Sequence, residues 1–202
     1  RPLQRGVSPT NRPDRATAVC STRLTDTTGK STRKTGAAAP GAHAALEERL
    51  GHRFADRKLL AEALTHSSVT GKRSNERLEF LGDRVLGLII AQMLTLKETE
   101  ATEGELAPRL NALVRRETCA DVALRSGIAE HLQLAAGERQ SGGAAKGAIL
   151  ADACEAVIAA LYLDGGLEVA RGFITRYWQP LFEGLDDAAR DAKTALQEWA
   201  QG

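Results

Sequence analysis

The chain is poor in cysteine and methionine and has no long apolar run, and each shortage removes a class of protein. Its three cysteines, Cys20, Cys119 and Cys154, are odd in number, widely spaced and free of any C-x-x-C pairing. That argues against a disulfide framework and a thiolate zinc site, and for a reducing cytoplasm. No stretch of about eighteen apolar residues occurs, since even 85–94 is short, amphipathic and flanked by charge; nothing here is expected to span a bilayer. Met93 is the single methionine, so the sequence starts without an initiator and is expected to be a fragment or a translation begun too far upstream. An alternating strand pattern and an internal repeat are both missing, which leaves an all-α reading.

What is present is divided unevenly. The length of 202 residues allows one well-buried domain with loose ends and not two generous cores. The net charge of +1 hides a split: residues 1–42 carry eight Lys/Arg and two Asp/Glu, a net of +6, whereas residues 43–202 carry 19 and 24, a net of −5. Phosphate contacts depend mainly on Lys and Arg, so the acidic part by itself argues against nucleic-acid binding. Residues 1–42 are rich in Thr, Ser, Arg, Pro, Gly and Ala with no apolar period, and are expected to be a disordered basic extension. Their Arg-rich, acid-poor composition is that of an organellar transit peptide, but Pro2, Pro9 and Pro13 interrupt the amphipathic helix such a peptide needs.

From residue 42 the pattern turns helical. Two short helices open the domain, the second at 58–65 with Asp56 as its N-cap. Ser74 is placed to cap a long third helix reaching about residue 96, because Leu78, Leu81, Val85, Leu88 and Ile89 recur at three- and four-residue steps. A further helix begins at Thr102 or Glu103 and extends or resumes through 120–124, until Gly127 stops it. A brief segment (128–134) and a Gly/Ser-rich loop (135–146) lead to 149–163, almost continuously apolar and therefore central. Gly165-Gly166 ends it, and 167–182 supplies a last amphipathic helix.

Two of these helices carry carboxylates in register. Glu76, Glu79 and Asp83 stand at i, i+3 and i+7, which stacks them on one face. Three acids on a helix usually make a solvated face, but Asp152 and Glu155 sit at i, i+3 inside the most apolar helix of the chain. Charges buried there must be paired, protonated or bound to metal, and the nearest basic residue in sequence, Lys146, precedes the helix. Four carboxylates from two facing helices, with no His among them, form a hard oxygen site suited to Mg²⁺ or Mn²⁺ and to phosphodiester hydrolysis. These features alone do not choose between RNA, a nucleoside triphosphate and another phosphate ester.

The run Asn75-Glu76-Arg77-Leu78-Glu79-Phe80-Leu81-Gly82-Asp83 does choose: it closely resembles the signature of the ribonuclease III family. Leu64-Thr65-His66-Ser67-Ser68 before it, Glu103-Gly104-Glu105-Leu106 after it and Ile149-Leu150-Ala151-Asp152-Ala153-Cys154-Glu155-Ala156 near the end resemble the family in the right order. The resemblance covers about 44–184 and implies the all-α, homodimeric endonuclease-domain fold, here bounded as 43–184. It implies Glu79, Asp83, Asp152 and Glu155 as metal ligands, with Asp83 and Glu155 catalytic, and Mg²⁺ as cofactor with Mn²⁺ as substitute. Glu76 and Glu103 become secondary residues supporting the site or substrate path, and Phe80 a dimer-interface aromatic. Gly82 is expected to let two helices approach closely. Arg84 departs from the Ser many members carry and is expected to point off the metal-facing stripe. His66 reads as a hydrogen-bonded structural histidine, Cys119 and Cys154 as small buried residues, and Ser141-Gly142-Gly143 as a connection; no nucleotide cofactor is expected.

Residues 193–202, after a linker at 185–192, resemble the opening of a double-stranded RNA-binding domain, so a truncated module of that kind is expected to follow the nuclease. The implied enzyme is a cytoplasmic, metal-dependent endoribonuclease that cuts double-stranded RNA to 5′-phosphate and 3′-hydroxyl ends and processes rRNA, mRNA and tRNA precursors. Three other readings differ from it: a catalytically silent relative, an all-helical nucleoside-triphosphate pyrophosphohydrolase, and a ferritin-like di-iron protein. The first conflicts with the retained carboxylates, the second with the nine-residue signature, and the third with the lack of Glu-x-x-His elements.

Overall fold

In the computed structural model the backbone is described for residues 43–201 and side chains for residues 43–184; the basic stretch 1–42, expected to be disordered, lies outside the described residues. Eight α-helices follow in order: α1 (Ala44–Leu50), α2 (Arg57–Ala63), α3 (Glu76–Lys97), α4 (Glu103–Val114), α5 (Arg116–Arg125), α6 (Ala136–Gln140), α7 (Gly147–Gly165) and α8 (Leu167–Gln201). Short 3₁₀ turns occupy Ile128–His131 and Gly143–Ala145. Among the described residues there is no strand, and Thr65 and Gln133 form an isolated parallel bridge. The fold is all-α, as expected.

α7 is the axis. It is apolar on nearly every side, buries eleven residues between Ile149 and Leu161, and is packed by α3, α5, α8 and α2. A helix apolar all round has to be covered on all sides, and its neighbours oblige with single apolar stripes. α3 turns Leu78, Val85, Leu86, Ile89, Ile90 and Leu94 inward. α8 is fastened at two points: the fully buried Trp178 indole donates to the Leu113 carbonyl at 2.8 Å, and the Tyr177 hydroxyl donates to the Arg49 carbonyl at 3.2 Å.

Local sequence sets the helix starts. The Asp56 carboxylate accepts the Lys58 N–H at 3.0 Å, and Thr102 with Glu105 forms a capping box. Gly127 takes a left-handed φ of 79° beyond α5, where a side chain would be strained. Three local expectations differ from the structure. Asn75, not Ser74, is the N-cap of α3; its N–H is tied to the Thr65 carbonyl at 2.8 Å, while the Ser74 hydroxyl donates to Glu76 at 2.6 Å. Of the two continuations expected after Val114, extension or resumption, the chain takes the second, because Arg115 is extended (φ −66°, ψ 157°). The Gly/Ser-rich loop contains α6 and a 3₁₀ turn. Finally, α8 runs past residue 182 to Gln201 and through the segment read as a linker; no Gly or Pro follows Gly184 before that point to stop it.

Candidate active site

α3 and α7 meet almost backbone to backbone. A Cβ added to Gly82 would lie 1.8 Å from the Glu155 carbonyl oxygen and 2.5 Å from its carbonyl carbon, so glycine is required for the two helices to approach this far. One turn before Gly82 on α3 stands Glu79, which is thereby brought against Asp152 and Glu155 of α7.

The three carboxylates feel both burial and one another. Burial, then Glu79 and Asp152, push the Glu155 carboxyl up to about 7. Burial, then Asp152 and Glu76, raise Glu79. Burial raises Asp152, against the pull of Arg116 and His66. Such a cleft is costly when every carboxylate is ionised and nothing positive enters it. Two groups from α5 soften that cost. Arg116, the first residue of α5, favours the ionised form of all three acids. The fully buried Cys119 thiol, one turn on, hydrogen-bonds Glu155; burial and then Glu155 raise that thiol, so it stays protonated.

The remaining residues singled out in the sequence are more dispersed. Asp83 is half-exposed and is paired with Arg84, whose guanidinium also sits 5.4 Å over the Phe80 ring. This corrects the expectation that Arg84 points away from the acidic stripe: its long side chain folds back along the exposed surface to the neighbouring carboxylate. Glu76 is exposed at the first position of α3, and Glu103 is exposed at the first position of α4. Phe80 is 69% exposed. Among the described residues, no three His, Cys, Asp or Glu side chains stand together as a ready-made metal group. His66 hydrogen-bonds the Ser68 hydroxyl through Nδ1 at 2.9 Å and reaches Asp152 and Glu138 electrostatically. Cys119 and Cys154 are buried free thiols.

Sequence reasoning missed Arg116, because the break at Arg115 that turns its helix toward α7 leaves no trace in the apolar period. It also missed Glu138, which pairs with Lys146 at 2.7 Å across the Gly/Ser-rich segment. The i, i+3 spacing of Arg116 and Cys119 was the available signal, and it became meaningful once α5 was known to pack on α7.

An all-helical domain with acids facing each other across two packed helices is matched by a family model described as ribonuclease-III-like, over residues 56–181. Proteins named Ribonuclease 3 from Jannaschia sp. and Rhodobacter capsulatus are 53% and 55% identical over 159 residues, covering 78% of this chain and 70% of each relative. A crystal structure of the nuclease domain of ribonuclease III from Campylobacter jejuni superposes with a TM-score of 0.65 at 38% identity, covering 68% of this chain and 94% of that one. The fold class is thus that of a ribonuclease III nuclease domain. The chain belongs to the ribonuclease III family and is an endoribonuclease acting on RNA. Among the described residues, no helix is long and apolar enough to cross a membrane.

Proposed function

We propose that this enzyme is a homodimeric, metal-dependent endonuclease that hydrolyses double-stranded RNA to 5′-phosphate and 3′-hydroxyl ends, and that it processes rRNA precursors and some mRNA and tRNA precursors in the cytoplasm. The observation that carries this reading is that Glu79 and Asp152 act electrostatically on Glu155 beside the point where Gly82 lets α3 and α7 touch.

The donor set is all oxygen, without an imidazole, and its members repel one another, which fits a hard divalent cation: Mg²⁺, with Mn²⁺ as a substitute. Glu79, Asp83, Asp152 and Glu155 would hold it, and loss of Asp83 or Glu155 would be least tolerated. When bound, such an ion supplies Lewis acidity toward a phosphodiester and lowers the pKa of water. The chain's own part is to ready the donors. Glu155 gives up its proton near neutral pH, helped by Arg116 and the Cys119 thiol. Asp83 turns from Arg84, and Gly82 sets the distance between the two helices.

Glu76 and Glu103 are assigned secondary places along the substrate path. Phe80, a large apolar side chain left 69% exposed, is assigned to the surface of a second subunit; the solved Campylobacter jejuni nuclease domain is itself described as having a region involved in dimer formation. Residues 43–184 form the nuclease unit. Since residues 43–202 carry a net charge of −5, strong attachment to RNA falls to a further module, which we place from residue 193 onward, reached along α8.

Cleavage of a labelled RNA duplex at low salt, with Mg²⁺ or with chelator, tests the reading. Wild type cuts in a metal-dependent manner and leaves 5′-phosphates, and Glu155→Ala does not cut. A folded dimer that binds Mg²⁺ and never cuts would overturn it.

A further inference from the structure

Of the four histidines in the chain, two are engaged by oxygen: His52 by Asp164 at 2.7 Å and His66 by the Ser68 hydroxyl at 2.9 Å. The other two face each other. His43, at the N-cap of α1, and His131, which ends the 3₁₀ turn Ile128–His131, bring their Nδ1 atoms to 3.4 Å although 88 residues separate them. The rings stand edge to face, 5.4 Å between centroids and 67° between planes, and both residues are half-buried.

A hydrogen bond explains this arrangement poorly. Nitrogen donors and acceptors normally meet at about 2.7–3.2 Å, and such a bond requires complementary tautomers in the two rings. A shared metal ion explains the spacing directly. Two imidazole nitrogens bound at about 2.0–2.1 Å to one tetrahedral ion stand about 3.3 Å apart. The surroundings keep His43 in the state a metal needs: burial, then His131, lower its pKa, with Glu47 pulling the other way. The charged group acting on the pair is Glu47 on α1, whose carboxylate also accepts the Phe54 N–H at 3.0 Å; Glu130, next to His131 in sequence, pairs with Arg49 of α1 at 3.4 Å.

We propose that His43 and His131 form a second metal site, distinct from the carboxylate cleft, that takes a borderline transition ion such as Zn²⁺ through two Nδ1 ligands. Among the described residues no third His, Cys, Asp or Glu completes a cage, so water fills the other positions and the affinity is modest. Nitrogen ligands make the site indifferent to Mg²⁺, whereas the all-oxygen cleft prefers it. The two sites therefore sort cations by hardness. Bound there, Zn²⁺ ties the first turn of α1 to the segment between α5 and α6 and stabilises the start of the folded domain.

Calorimetric titration of the full chain with Zn²⁺, in excess Mg²⁺ to fill the carboxylate cleft, tests the proposal. Wild type and Glu155→Gln are expected to bind Zn²⁺ alike, His43→Ala at least about tenfold more weakly, and His131→Ala likewise. Saturating Zn²⁺ is expected to raise the Tm of wild type by about 2–4 °C and leave that of His43→Ala unchanged. His43 lies at a helix end, so its alanine variant should fold even if His131→Ala does not, which circular dichroism reports. Equal Zn²⁺ affinity in wild type and a folded His43→Ala, or loss of the binding in Glu155→Gln alone, overturns the second site.

Discussion

Gly82 on α3 lies against the Glu155 carbonyl on α7 so closely that a methyl group would stand 1.8 Å from it. Backbone, unlike the end of a long side chain, cannot swing aside. Gly82→Ala is therefore expected to push the two helices apart and to cost about 3 kcal/mol, the upper end for overpacking, in urea unfolding. Because Glu79 and Glu155 flank the contact, the same variant is expected to lose most of its Mn²⁺ affinity. Wild-type stability together with unchanged Mn²⁺ binding would show that the helices have room to spare.

The Glu155 carboxyl gives the metal-free protein a stability that depends on pH. Its pKa in the folded chain is raised from 4.5 to about 7 by burial and then by Glu79 and Asp152. The folded state thus holds the proton more tightly than the unfolded state, so stability is fully present below about 4.5 and is lost as pH rises toward about 7. Allowing for partial exposure, the loss is about 1–2 kcal/mol. Urea titrations in chelator at pH 4.5 and pH 7.5 should show that fall in wild type and a flatter profile in Glu155→Gln. Equal profiles in the two proteins would remove Glu155 as the cause.

Asp164 behaves in the opposite sense. Its side chain, 4% exposed, accepts from the Ala55 N–H at 2.9 Å, the Asp56 N–H at 2.8 Å and the His52 ring at 2.7 Å. Burial works to raise the carboxyl, but those partners outweigh it and hold the group below its ordinary value. This stability is present above about 4 and is lost as pH falls through the lowered pKa. Asp164→Ala strands three polar groups and is expected to cost about 3 kcal/mol at neutral pH, with Asp164→Asn costing less. Thermal unfolding of both variants checks the order, and equal losses would contradict it.

Arg116 is expected to hold the acid cleft partly ionised. Since it lowers Glu79, Asp152 and Glu155 together, Arg116→Gln should shift the Glu155 titration, followed by carboxyl ¹³C NMR, further above about 7. Cleavage of duplex RNA should then need a higher pH. An unmoved titration would place Arg116 too far from the cleft to matter.

The architecture was legible where one helix speaks for itself. The three- and four-residue apolar steps of α3 and the unbroken apolar surface of α7 marked a stripe to be buried and an axis to be covered. Asp56 and Thr102 announced helix starts through side chains that accept nearby N–H groups. Whether the helix after Thr102 extends or breaks was left open, and the place of the break at Arg115 was not legible, because an extended residue between two helices interrupts neither the apolar period nor the composition. Nor was the return of Arg84 to Asp83, which depends on a flexible side chain choosing between two exposed directions.

The sequence by itself determined that the protein is all-helical, that Glu79 and Asp83 share one helix face while Asp152 and Glu155 lie on a helix where charge is expensive, and which family it belongs to, since i, i+3 and i+7 spacings and a nine-residue motif are local properties of the chain. The tertiary structure alone decided that Gly82 meets Glu155, that Arg116 and Cys119 face the acids, and that His43 finds His131. Those relationships join residues distant in sequence, and their distances follow from how whole helices pack rather than from any pattern within one of them.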